Sequence, residues 1–180
     1  MTNVADATAP EEIMWQGKFI TAKTRGRWEY VGRARGIHAA VILAVDDEDH
    51  VILVDQYRVP LGKRCIELPA GLVGDHVENS GEDPAIAGAR ELEEETGYRA
   101  GRIEVLGEFY SSPGMVSASF TLLRAHDLVK VSDGGGVESE DITVCRVPLS
   151  DIAEAVKTWR AEGFAIDVKI LMLLGPGILA

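Results

Sequence analysis

Residues 87–99 read AGARELEEETGYR, and four glutamates (Glu91, Glu93, Glu94 and Glu95) crowd into five positions of this stretch. Its flanks make it a helix: Asp83-Pro84 supplies a capping side chain and a proline at the first helical position, and Gly97 a left-handed stop. Ile86, Ala89 and Leu92, with Ala85, form an apolar stripe at three- and four-residue spacing. Arg90, Glu91, Glu94 and Glu95 lie off that stripe. Like charges at i,i+4 on a helix cost roughly 0.2–0.5 kcal/mol per pair, so the crowding needs a reason. Glu91 can converge with Glu94 and with Glu95 on one face. Hard divalent cations such as Mg²⁺ take oxygen ligands of this kind and keep waters for phosphate chemistry. A bound ion would cancel the repulsion, with Arg90 and Glu82 pairing with and orienting the ligating side chains. Charge alone favours the alternative of a solvated acidic face.

Working outward, GIHAAVILAVD (36–46) and HVILVDQYRV (50–59) are β-branched-rich runs separated by a polar turn and read as core strands. CIELPAG (65–71) is a short strand ending in a turn, and LVGDHVENSGEDP (72–84) a polar loop. After the helix, RIEVLGEFYSS, SFTLLRAHDL and DITVCRVPL read as further strands. LSDIAEAVKTWRAEG is an amphipathic helix and AIDVKILMLL a last helix. IMWQGKFITAKT and RWEYVGRA, broken at Arg25-Gly26, form a hairpin or meander near the N-terminus. The expected organisation is a loose arm over 1–12, a small β domain over 13–35 and a main domain over 36–180. The class is α/β (α+β).

The chain has 180 residues and an ordinary 46% apolar fraction, enough for a sizeable core. Its net charge of −11, with no long Lys/Arg block, argues against nucleic acid as a partner. No apolar run is long enough for a membrane span, and the polar N-terminus is no signal peptide. Cys65 and Cys145 lack metal-ligand spacing and read as two thiols in a reducing cytoplasm. An acidic protein still acts on an anionic substrate when metal cations stand between them.

The pattern Arg90-Glu91-Leu92-x-Glu94-Glu95-x-Gly97-Tyr98, with Glu82 eight residues before Arg90, resembles the Nudix hydrolase box. From average residue usage its core should arise by chance roughly once in ten million positions, which outweighs the solvated-face alternative. The LPAG turn before it matches as well. This chain departs from the box in its loop, where ten residues instead of the usual five separate Gly71 from Glu82. VDQYRVPLGKRCIELPAGLV, RELEEETGY and Pro113, sixteen residues beyond Gly97, resemble the ADP-ribose pyrophosphatase branch.

That resemblance implies a mixed-sheet α/β/α sandwich with an N-terminal antiparallel β element, and homodimers that exchange N-terminal elements. It implies Mg²⁺-dependent hydrolysis of ADP-ribose to AMP and ribose 5-phosphate, with Mn²⁺ a possible substitute. The metal ligands carried over are Glu91, Glu94, Glu95, Glu82 and the Ala70 carbonyl, with Arg90 catalytic. In GGGVESEDITV the loop carboxylate acting on water is Glu138, with Glu140 the second choice. Arg58 falls where the branch meets the substrate's phosphates, the alternative being a surface ion pair. Trp28 matches an adenine-stacking tryptophan, the alternative being core or interface packing, and Pro113 joins the substrate site. Two rivals remain: a pyrophosphatase of GDP-mannose or other nucleoside diphosphate sugars, and a non-catalytic sugar-nucleotide-sensing module.

Overall fold

The computed structural model of the chain describes residues 4–74, 81–137 and 140–175. Its first three strands, β1 (Glu11–Gln16), β2 (Ile20–Arg25) and β3 (Trp28–Arg33), form an antiparallel meander turning at Gly26. This small sheet is tied to the rest of the molecule by backbone hydrogen bonds. The Val31 N–H donates to Met115 O, and the Ser117 N–H donates back to Val31 O, both at 2.9 Å.

The body is built on two four-stranded sheets. In one, β4 (His38–Ala44) lies between β7 (Ala70–Val73), antiparallel, and β9 (Ser119–Lys130), parallel, with β8 (Tyr98–Tyr110) at the edge. In the other, β5 (His50–Arg58) lies between β10 (Ile142–Pro148) and β6 (Lys63–Glu67), and the two-residue β11 (Ala165–Ile166) runs parallel to β6. The continuous apolar runs of β4 and β5 reflect burial on both faces. Ala40, Ile42 and Ile52 pack with Ala87 and Leu92 of helix α1 (Pro84–Thr96). Val41, Leu43, Val51 and Leu53 pack with Ile152 and Val156 of helix α2 (Ile152–Ala161) and with Ile170 and Leu173 beyond it. Helices thus cover opposite faces of a mixed β layer.

The local signals at α1 operate as its sequence indicates. The Asp83 side chain accepts from the Ala85 N–H at 2.8 Å, and Gly97 ends the helix at φ +72°, its N–H bonded to Glu93 O. The buried stripe, however, is rotated from the expected one. Ile86 is exposed, and the packed face is Ala87, Gly88, Leu92, Glu95 and Thr96. Small residues decide this. A Cβ on Gly88 would stand 2.2 Å from Leu123 Cδ1, so the glycine lets α1 settle directly on β9. AIDVKILMLL also differs from the expected helix: it forms β11 and then a 3₁₀ segment, Val168–Leu174, capped by Asp167 accepting from the Lys169 N–H. Residues 75–80 of the polar loop before α1 lie outside the described residues.

Candidate active site

Between α1, the ends of β5–β7 and the segment before β10 lies a cleft of ≈ 500 Å³. Four carboxylates line it: Glu91 and Glu95 from α1, Glu67 from β6 and Glu140. Three cations face them: Arg33 at the end of β3, Arg58 at the end of β5 and Lys169 from the 3₁₀ segment. Alternation along β5 explains part of this placement. Gln56 and Arg58 share one face of the strand, and cross-strand register brings Glu67 of β6 to that face.

Glu95 is the most deeply placed acid, 5% exposed, and its Oε2 accepts the Ala70 N–H at 3.0 Å. Burial, reinforced by the nearby charges of Glu91 and Glu140, pushes its carboxyl up to about 8 despite the Ala70 hydrogen bond. Glu91 is raised as well, chiefly by burial and partly by Glu94, against the lowering effect of Arg90. Gly71 makes room for it, since a Cβ there would fall 2.0 Å from Glu91 Cγ. Arg90 stands among three acids, with contacts of 2.8 Å to Glu91, 3.5 Å to Glu94 and 3.7 Å to Glu82. Arg58 forks onto Glu67 with contacts of 2.5 and 2.9 Å, and this pairing raises its pKa. Arg33 sits in the opposite condition, its pKa lowered by burial.

Three buried side-chain atoms among the described residues have no hydrogen-bond partner: Arg33 Nη1, Gln56 Oε1 and Glu82 Oε2. Arg33 and Gln56 line the cleft, and Glu82 belongs to the Arg90 cluster. Buried polar groups left unpaired are costly and mark places where a ligand, ion or water belongs. The donor set suits a hard divalent cation: the Glu91 and Glu95 carboxylates, both with pKa raised chiefly by burial, and Glu82 Oε2, which has no hydrogen bond and only the 3.7 Å contact with Arg90. As they stand, no three acidic, histidine or cysteine side chains among the described residues converge closely enough to hold a metal ion. Arg90 holds the Glu91 carboxylate in that arrangement.

The residues singled out in the sequence therefore separate. Glu91, Glu95, Ala70, Arg58 and Glu140 meet at the cleft. Glu94 faces a neighbouring hollow with Arg90, Gly134 and Gly136. Trp28 and Pro113 meet each other in a third hollow of ≈ 340 Å³, formed by the N-terminal sheet and the 113–117 segment. Trp28 is 53% exposed, which removes core packing as its role. Glu138 lies outside the described residues. Arg33, Glu67, Gln56 and Lys169 were not expected here. Glu67, immediately before the LPAG turn, had a positional signal; Arg33 and Lys169 had none.

Carboxylates of the kind that take a hard divalent cation and arginines of the kind that take phosphate oxygens thus line one cleft. Sequence comparison then places the chain: residues 35–166 match the NUDIX domain, and the protein belongs to the Nudix hydrolase family. Among its relatives, an ADP-ribose pyrophosphatase of Bacillus subtilis (strain 168) is 36% identical over 121 residues, 67% of this chain and 63% of that one. A GDP-mannose pyrophosphatase of Cronobacter sakazakii (strain ATCC BAA-894) is 36% identical over 149 residues, 78% of this chain and 72% of that one. The chain thus spans less than two thirds of the Bacillus subtilis relative. A crystal structure of an ADP compounds hydrolase superposes with a TM-score of 0.68 over 92% of this chain and 89% of that one. At 24% identity, that likeness speaks to the fold alone. No helix among the described residues is long and apolar enough to cross a membrane.

Proposed function

We propose that the protein hydrolyses the pyrophosphate bond of ADP-ribose, releasing AMP and ribose 5-phosphate. The observation that carries this reading is the single cleft in which Glu91, Glu95 and Glu140 face Arg33, Arg58 and Lys169. Mg²⁺, or Mn²⁺ in its place, would be held by Glu91 and Glu95, with Glu82, Glu94 and the Ala70 carbonyl completing the set. A cation bound there would supply neutralisation of the diphosphate charge and a lower pKa for an attacking water.

The chain's own residues do the rest. Arg58, already oriented by its fork on Glu67, presents its remaining donors to phosphate oxygens, and Arg33 Nη1 supplies an unused donor to the same cleft. Glu140 orients the water and accepts its proton as the water oxygen bonds to phosphorus and the bridging P–O bond breaks. The alternative carrier of that role is Glu138. Arg90 holds the α1 carboxylates in position. Trp28, with Pro113 beside it, offers its exposed face to adenine. The exposed Ile13, Met14 and Trp15 on β1 support a homodimer that exchanges N-terminal elements. The free thiols of Cys65 and Cys145 suit a cytoplasmic setting.

A second reading, hydrolysis of GDP-mannose or another nucleoside diphosphate sugar, is favoured by the larger share of this chain that the GDP-mannose pyrophosphatase matches. The deciding experiment is a kcat/KM panel of nucleoside diphosphate sugars with Mg²⁺. ADP-ribose is expected to lead GDP-mannose by at least about tenfold. The reverse order favours the second reading, and no turnover of any substrate would overturn both enzymatic readings.

A further inference from the structure

Arg64, on the face of β6 opposite the cleft, makes more contacts than a surface arginine needs. Its Nε donates to Asp55 Oδ1 at 2.7 Å and its Nη2 to the Asp55 carbonyl at 3.0 Å. On the other side, Nη1 donates to Asp141 Oδ2 at 2.8 Å and Nη2 to the Asp141 carbonyl at 3.3 Å. Tyr57 pairs with Arg64 and Asp55 lies two residues back on the same face of β5, so the guanidinium reaches across β5 to Asp141, the residue just before β10. Asp141 sits at φ +49°, a left-handed conformation that Asp tolerates and most residues avoid. Immediately before it stands Glu140, whose side chain accepts the Val137 N–H at 2.9 Å and lines the cleft. From the cleft side of β5, Gln56 Nε2 donates to the Glu140 carbonyl at 3.3 Å. The backbone at 140–141 is thus gripped from both faces of one strand.

We propose that Arg64 is a positioning residue for the reaction: by clasping Asp141 to β5 it fixes the place of Glu140 over the carboxylate cleft. An ion pair on the scale of stability explains little of this arrangement. Asp141 is 77% exposed, and exposed pairs contribute only about 0–1 kcal/mol. What four directed hydrogen bonds from a planar fork supply is geometry, which a lysine's single point charge cannot reproduce. Displacement of a catalytic group by about 1 Å is enough to lower a rate by about a hundredfold. The proposal rests on the reading that Glu140 acts at the cleft.

The test compares Arg64→Met, Arg64→Lys, Asp141→Gly and the Arg64→Met/Asp141→Gly double variant, each with Mg²⁺ and the best substrate of the panel. The expected result is a kcat lower by about ten- to a hundredfold for Arg64→Met, with KM within about twofold. Asp141→Gly, which suits the left-handed backbone and removes the carboxylate that accepts from Nη1, should lose about tenfold, and Arg64→Lys should lie between Arg64→Met and the parent. The double variant should lose far less than the product of the two single losses, because both changes break the same contact. Losses that multiply, losses carried by KM, or an unchanged kcat in Asp141→Gly would each overturn the clasp. If Arg64→Met fails to fold, the exposed Asp141 position decides alone. Glu140→Gln, run alongside, separates the two ideas. Full activity in that variant removes Glu140 from the chemistry, whereas an inactive Glu140→Gln beside fully active Arg64→Met and Asp141→Gly removes only the clasp.

Discussion

Replacing Glu95 by Gln should make the metal-free protein more stable while making the enzyme inert. Glu95 is 5% exposed, and its carboxyl is pushed up to about 8 from an ordinary value of 4.5, mainly by burial. Below 4.5 the carboxyl is protonated in both the folded and unfolded chain. Between 4.5 and about 8 the unfolded chain has released the proton and the folded one retains it, so stability falls as pH rises. Each pKa unit corresponds to about 1.36 kcal/mol. From pH 4.5 to pH 7 the parent therefore loses about 3 kcal/mol through this group, approaching about 5 kcal/mol above pH 8. Glutamine is neutral throughout and keeps an oxygen to accept the Ala70 N–H. Urea unfolding of both proteins in EDTA, at pH steps from 4.5 to 8.5, should show a stability gap that widens in the variant's favour by about 3 kcal/mol by pH 7. With Mg²⁺ in excess the parent should regain stability by mass action and the variant far less. Parallel pH curves, or equal Mg²⁺ stabilisation of both, would refute the buried-ligand argument.

Glu140→Gln should lower kcat by about 10²–10⁴-fold with little change in KM, read by steady-state kinetics; a loss carried instead by Glu138→Gln moves the role two residues back. Trp28→Ala should raise KM for ADP-ribose by roughly five- to a hundredfold in a variant that melts normally and elutes like the parent on size exclusion. Unchanged KM there would take adenine stacking away from this residue. Gly97→Ala should cost at least about 1–2 kcal/mol in denaturant unfolding, because φ is +72° and the new Cβ would stand 2.1 Å from the Ser132 carbonyl oxygen. A neutral result would mean that the helix end relaxes.

The parts of the fold readable in the sequence are those set by nearest neighbours. The Asp83 cap, the Pro84 start, the Gly97 stop and the alternation of turns and β-branched runs act over a few residues and occur as expected. The buried face of α1 was not readable, because it depends on Gly88 meeting Leu123 and on Glu95 being drawn inward, both long-range events. The C-terminal AIDVKILMLL has enough apolar residues for a helix, yet Ala165 and Ile166 pair with Cys65 and Ile66, leaving seven residues to a 3₁₀ segment. At the cleft, Glu91, Glu95 and Arg58 carried motif or positional signals. Arg33 and Lys169 lie at opposite ends of the chain, and only the folded molecule shows that they share a wall.

The hollow that holds Trp28 and Pro113 shares no lining residue with the carboxylate cleft, and backbone hydrogen bonds bind its two halves, the N-terminal sheet and the 113–117 segment, to each other. Substitutions can therefore reshape the first wall without altering the second. On the proposed roles, a lineage built on this plan could change which end group it reads without touching the residues that break the bond, and new preferences would arise with no interval of lost turnover.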